Sequence, residues 1–200
     1  MPTRKRTPRA PRQSLLVVTE GVVTEREYID EIANYVSHHY PSATAPKPIK
    51  TIGVGKSPLK VVEACIAERN KAERNGVGYS QCVCLVDFDE HSDLEEAIRT
   101  AKRHDILILV SRLKFEVWLR WHASTSRAAL TSRQLDQELE KQKLLVKKHL
   151  PRNFPYENVE EACKQARLAF PDMPPNTIGP DPSTSLPLLI DLLKGLPVTD

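Results

Sequence analysis

Gln81-Cys82-Val83-Cys84-Leu85-Val86-Asp87-Phe88-Asp89 is the stretch on which the fold turns. Gln81–Val86 is a short, continuous apolar run of the kind that makes a fully buried strand. It ends abruptly in two aspartates. Successive strand side chains alternate faces, so Asp87 and Asp89 project the same way if the chain stays extended. Upstream, Ser14–Thr19 (SLLVVT) is a second run of this type and ends at Glu20-Gly21; Ile49–Val54 is a third strand candidate and Ile106–Val110 a fourth. Helical spacing fills the intervals. Thr24-Glu25-Arg26-Glu27 has the form of a capping box, followed by Tyr28, Ile32, Tyr35, Val36 and His39. Ser57-Pro58 is a cap followed by proline at the first helical position, with Leu59, Val62, Ile66 and Arg69 along one face. Ser92-Asp93-Leu94-Glu95 reads as a further capping box, continued by Ala97, Ile98 and Ala101.

Strand alternating with helix predicts an α/β fold: a parallel sheet of about four strands covered by helices on both faces. Ligands in such sheets bind beyond the carboxyl ends of the strands. Three places qualify, Glu20-Gly21, Asp87–Asp89 and Ser111–Glu116, and all three carry carboxylates. Beyond the fourth strand, Phe115, Trp118, Leu119 and His122 suggest a short helix. Ser132–Leu150 reads as one long charged helix with Leu135, Leu139, Gln142 and Val146 inward. Val159–Phe170 reads as another, and Leu186–Leu193 as the last, after a proline-rich connector at 171–185. The expected organisation is a basic arm at 1–13, an α/β core at 14–124 and a helical C-terminal extension at 125–200.

The chain has 200 residues, 40% of them hydrophobic and 28% charged, enough for a buried core and too apolar for wholesale disorder. No apolar run approaches the roughly 20 residues that span a bilayer, and the first apolar segment is too short for a signal sequence; a cytoplasmic protein is expected. The formal net charge of +3 is too balanced to imply nucleic-acid binding by itself. Arg4, Lys5, Arg6, Arg9 and Arg12 nevertheless form an arm without acidic residues, either a solvated tail or a phosphate-contacting segment. Cys65, Cys82, Cys84 and Cys163 have no zinc-ligand spacing and read as small core residues. Gly55-Lys56-Ser57 resembles the end of a phosphate-binding loop, but Lys50 occupies the position that such a loop requires to be glycine.

Two aspartates at a strand end repel one another unless a cation sits between them. Mg²⁺ or Mn²⁺ suits such hard oxygen ligands, and the ion can polarise a phosphoryl oxygen and activate water. Glu20, ending a neighbouring strand, is a further ligand or a general base.

Four motifs in order carry a family resemblance. Glu20-Gly21-x-x-Thr24-Glu25-x-x-Tyr28, Val86-Asp87-Phe88-Asp89-x-His91, Ser111-x-x-x-Phe115-Glu116-x-Trp118-Leu119-x-x-His122 and Asp181-Pro182-Ser183-Thr184 resemble the EGxxTExxY, DxDxH, SNPCFELWLLLH and NPST segments of the RloB-like proteins. The resemblance implies a Toprim-like fold and a Mg²⁺-dependent phosphodiesterase site. Glu20 matches the Toprim glutamate, and Asp87 and Asp89 match its DxD. It also implies a toxic nuclease of antiphage defence paired with an ABC-type or OLD-like ATPase. DNA, messenger RNA and transfer RNA all remain open as substrate, and so does homo-oligomer formation. Glu116 either faces the site or caps its own helix. His91 is either a solvated loop residue or a phosphate contact, and Lys56, Arg112 and Lys114 are candidates to neutralise phosphates. Two departures stand out: Arg112-Leu113-Lys114 replaces the family's Asn-Pro-Cys, and Asp181 replaces Asn. The alternative function is a catalytically silent sensor or binding subunit of an ATPase-containing complex.

Overall fold

Side-chain parity along the strands divides the apolar interior into two layers. In the computed structural model, which describes residues 14–88 and 93–198, β1 (Leu15–Thr19), β2 (Ile49–Gly53), β3 (Gln81–Phe88) and β4 (Leu107–Arg112) pair in parallel in the order β2-β1-β3-β4. Leu15, Val17, Val83, Leu85 and Leu109 point into one layer; Leu16, Val18, Cys82, Cys84, Val86, Ile108 and Val110 point into the other. α1 (Thr24–His39) closes the first layer with Tyr28, Ile29, Ile32 and Val36. α2 (Pro58–Arg74) and α3 (Leu94–Arg103) close the second with Val61, Val62, Cys65, Leu94 and Ala97. Right-handed crossovers require this division, because the path from β1 to β2 runs across the sheet opposite to the path from β2 through β3 to β4.

The first layer is completed by the rest of the chain. α4 (Glu116–Arg120), α5 (Ser132–Lys141), α6 (Val159–Ala169) and α7 (Leu186–Leu193) pack Trp118, Leu135, Leu139, Ala162, Leu189 and Ile190 into the same cluster as β1 and α1. The 183–185 segment also covers the open edge of β4. Ser111 bridges antiparallel to Thr184, the Arg112 N–H donates to the Ser183 carbonyl (2.7 Å) and the Ser185 N–H to Val110 (3.1 Å). An edge that would otherwise expose unpaired backbone is thereby closed. The four cysteines are free and buried, Cys65, Cys82 and Cys84 together in the second layer. Among the described residues no helix is long and apolar enough to cross a membrane.

The helix expected over Ser132–Leu150 is two structures. α5 opens on a capping box between Thr131 and Gln134 and stops at Lys141. Lys143 (φ 56°) then takes a left-handed conformation, with its N–H on the Glu140 carbonyl (3.0 Å) and the Leu144 N–H on Leu139 (2.9 Å). This is a Schellman ending, and buried Leu144 supplies its apolar contact. No glycine or asparagine marks the stop, so the periodicity runs on past it; Gln142 and Val146, expected inward, are exposed. Because a lysine pays steric strain at Lys143 that glycine does not, Lys143→Gly should raise unfolding stability by about 1 kcal/mol in urea titration. An unchanged or lower midpoint would contradict the assigned helix ending.

The expected capping box at α1 is not formed either. Val23 is the N-cap of α1, and Thr24 and Glu27 spend their side chains elsewhere, on residues 148–150. Asp93 is the N-cap of α3 without a side-chain cap bond and accepts a 2.6 Å hydrogen bond from the Ser57 hydroxyl, tying the starts of α2 and α3 together. A hydrogen bond to a carboxylate outcompetes a neutral cap. Ser92 lies outside the described residues.

Candidate active site

Strand order determines where a ligand belongs. The connection after β1 leads to β2 on one side, and the connection after β3 leads to β4 on the other. The crevice between the carboxyl ends of β1 and β3 is therefore the topological switch point of the sheet. Glu20 and Asp87 stand on its two banks. The Glu20 N–H continues the ladder onto Leu85 (3.0 Å), its carbonyl accepts from the Gly55 N–H (2.7 Å), and its Oε2 accepts the Asp87 N–H (3.3 Å). Asp87 pairs in register with Ser111 on β4.

Two further carboxylates converge here. Glu25, one residue into α1, accepts the Gly21 N–H through Oε1 (2.9 Å). A Cβ on Gly21 would sit 1.7 Å from the Glu25 carboxylate, so this glycine leaves room for that side chain. Glu116 opens α4 directly after the β4 turn. Burial pushes the Asp87 carboxyl well above its usual range, and Glu25, Glu116 and Glu20 push it further in the same direction. Glu25 and Glu116 are raised too, again chiefly by burial; Lys148 opposes the rise in both and Lys114 in Glu116, without overcoming it. Four carboxyl groups thus share one half-dry end of the sheet. Repulsion of this kind is relieved by protons or by a cation.

Each residue singled out in the sequence can now be placed. Glu20, Asp87 and Glu116 come together. Glu116 opens α4 on the cluster's side, and its charge raises the Asp87 carboxyl. Asp89, His91 and the 1–13 arm lie outside the described residues. Arg112 stacks its guanidinium over the Phe88 ring, 3.9 Å from the centroid. Lys114 is ion-paired to Asp136 on α5. Lys56 is exposed, in the turn between β2 and α2. The N–H groups of Val54 and Gly55 in that turn are spent on the Thr19 and Glu20 carbonyls, so they form no anion cradle. His122 is buried, accepting from the Tyr28 hydroxyl at Nε2 (3.0 Å) and donating from Nδ1 to the Trp118 carbonyl (3.2 Å). Phe115, Trp118 and Leu119 are core. Leu113 has φ 77°, a conformation closed to proline, so the β4–α4 turn cannot follow the Asn-Pro-Cys path. Sequence reasoning missed Glu25 and Lys148: the first was read as part of a helix cap, the second as one position on a long helix.

The two glycines beside the site differ in what a methyl would meet. On Gly53 a Cβ would approach the Val22 Cα and the Gly21 carbonyl to 2.6 and 2.7 Å, both backbone, whereas on Gly21 it displaces only the end of a side chain. Gly53→Ala should therefore lower the melting temperature clearly, by about 1–3 kcal/mol of overpacking. Gly21→Ala should change it little while moving Glu25. Comparable thermal shifts for both would contradict this geometry.

The donor set is entirely hard oxygen, the chemistry of Mg²⁺ and Mn²⁺. Among the described residues no three His, Cys, Asp or Glu side chains already form a ligand set. A Mg²⁺ that keeps most of its waters needs only one or two carboxylates, and half-buried Asp87, repelled by Glu20 beside it, meets that demand. The residues fit such an ion.

A parallel sheet covered on both faces, with a carboxylate cluster at its switch point, defines the class of this protein. The chain belongs to the RloB-like family, whose model, described as RloB-like protein, matches residues 15–193. No curated protein and no solved structure matches the chain.

Proposed function

We propose that this protein is a metal-dependent nuclease of Toprim type, cleaving phosphodiester bonds in DNA or RNA as the toxic effector of an antiphage system with an ATPase partner. The observation that supports this reading best is the position of Asp87: half-buried at the end of β3, beside Glu20 from the adjacent strand, among two further carboxylates. Asp87 and Glu20 would hold Mg²⁺ or Mn²⁺, with Asp89 as the third candidate ligand. Bound there, the ion would supply Lewis-acid activation of the phosphoryl group and of water. Glu25 and Glu116, both raised above the usual carboxylate range chiefly by burial, suit groups that hold or move a proton beside the ion. Arg112, over Phe88 at the carboxyl ends of β3 and β4, is a candidate phosphate contact.

Labelled single- and double-stranded DNA and RNA, incubated with the purified protein and Mg²⁺ or Mn²⁺, should be cut, and chelation should stop the cut. A silent sensor subunit is the competing reading, favoured by Lys114, whose charge is spent on Asp136 rather than left for a phosphate. Cation binding without cleavage of any substrate, even with the ATPase added, would decide for it.

A further inference from the structure

Between Glu140 and Glu157 the chain has no acidic residue and carries Lys141, Lys143, Lys147, Lys148 and Arg152, all exposed. Part of this stretch has a defined shape. Val146 and His149 exchange backbone hydrogen bonds (2.9 and 3.1 Å), which makes Lys147 and Lys148 the two-residue tip of a tight turn. Lys147 is left-handed (φ 61°) at a place where tight turns use glycine or asparagine. Strain of this sort at an exposed cation is a reason to look for a ligand.

The tip is fastened at its base to α1. The Thr24 hydroxyl donates to the Lys148 carbonyl (2.8 Å), Glu27 accepts the Leu150 N–H (3.1 Å) on one oxygen, and the His149 Nδ1 bonds its other oxygen (2.6 Å). α1 is the helix that carries Glu25 to the carboxylate cluster. The fastening leaves the lysine side chains outward, and among the described residues Lys147 and Lys148 form no ion pair. Lys148 is also near enough to the cluster to act on both Glu25 and Glu116.

We propose that the Lys147-Lys148 turn is a nucleic-acid clamp, gripping backbone phosphates of a strand whose scissile bond lies in the β1–β3 crevice. The proposal rests on the nuclease reading and adds to it the element that holds the substrate. Thr24 and Glu27 are its positioning residues. A carboxylate cluster alone repels a polyanion; paired lysines held at its rim offset that repulsion and release counterions on binding.

The test is fluorescence anisotropy of labelled single-stranded DNA and RNA in chelator, with salt varied, on the full chain. The variant is Lys147→Gly with Lys148→Ala. Glycine relieves the left-handed strain, so thermal melting should show no loss of fold. The slope of log affinity against log salt should shrink by about 1.4, the value for two single-strand phosphates no longer neutralised. Thr24→Val, which keeps every positive charge, should also weaken binding. Whichever nucleic acid binds more tightly is the substrate class. An unchanged slope in the double variant overturns the clamp, and so does a wild type that binds neither nucleic acid. Mn²⁺ binding to the same proteins, freed of chelator, separates the two failures: if Mn²⁺ still binds the wild type and not Asp87→Asn, only the clamp has failed.

Discussion

On the nuclease reading proposed above, Asp87→Asn should abolish metal-dependent cleavage and, in the cell, toxicity, while the metal-free variant should melt at a higher temperature than the wild type. The amide is nearly isosteric and keeps the backbone bond to Glu20, but it removes a negative ligand. Losing the ion's stabilisation of developing phosphoryl charge costs on the order of 4 kcal/mol, or roughly 10³ in rate. The gain in stability has a separate origin. The Asp87 carboxyl is raised by burial and by Glu25, Glu116 and Glu20. A raised acid binds more protons folded than unfolded. Its contribution is favourable at low pH and is lost as pH rises from the unfolded value, about 3.9, through the folded one. At neutral pH the wild type therefore carries a penalty that the amide lacks. Mn²⁺ should remove that penalty, stabilising the wild type by about 2.7 kcal/mol at a hundred times its dissociation constant, and should leave the variant unmoved. Calorimetric melting with and without Mn²⁺ reads both effects. A variant that cleaves and responds to Mn²⁺ like the wild type would sink the metal assignment.

The second large effect runs the opposite way with pH. Burial lowers the His122 imidazole to about 4. It is 1% exposed and hydrogen-bonded as the neutral ring between Tyr28 and the Trp118 carbonyl. It also packs edge-on to Tyr28 and Trp118 and against Phe154. An unfolded histidine protonates near 6.5. Below that pH the unfolded chain binds a proton that the folded chain refuses, so stability falls from about pH 6.5 down to about pH 4 and then levels. The full loss is about 3 kcal/mol, a sizeable share of the 5–15 kcal/mol typical of a domain. Asp87, Glu25 and Glu116, all raised, add stability as they protonate on acidification, so a bare pH profile mixes two signs. Comparison with His122→Gln isolates the histidine, because the carboxylate contribution is common to both proteins. The wild type should lose stability relative to the variant between pH 6.5 and 4 in urea titrations. Parallel profiles would show that His122 is not buried in its neutral form.

Much of this architecture is local chemistry written along the chain. Three apolar runs of strand length and a fourth, more polar candidate at Ile49–Val54, each followed by a helical period, are enough for a parallel sheet, because a strand buried on both faces admits almost no polar side chain. The acids at the ends of β1 and β3 stand out for the same reason, being the first polar residues after runs that exclude them. Glu116 was legible as a helix-opening carboxylate at a strand end, either facing the site or capping its own helix, but its neighbours were not. Which acids meet depends on strand order, and strand order depends on the handedness of crossovers that no short window records.

The clearest misreadings have one physical cause. Thr24 and Glu27 have caplike spacing, and Lys143 sits within an unbroken helical period. In the fold those two side chains are drawn to residues 148–150, more than a hundred positions away, and the Leu144 contact offsets the strain of ending α5 on a lysine. Sequence by itself determined the α/β class, the two buried layers and the acidic strand ends, because burial and parity are properties of neighbouring residues. Only the tertiary structure decided that Glu25 joins the cluster and that Lys147 and Lys148 are held at the tip of a turn fastened to α1. A hydrogen bond or an electrostatic repulsion depends on distance in space, and local pattern does not encode it.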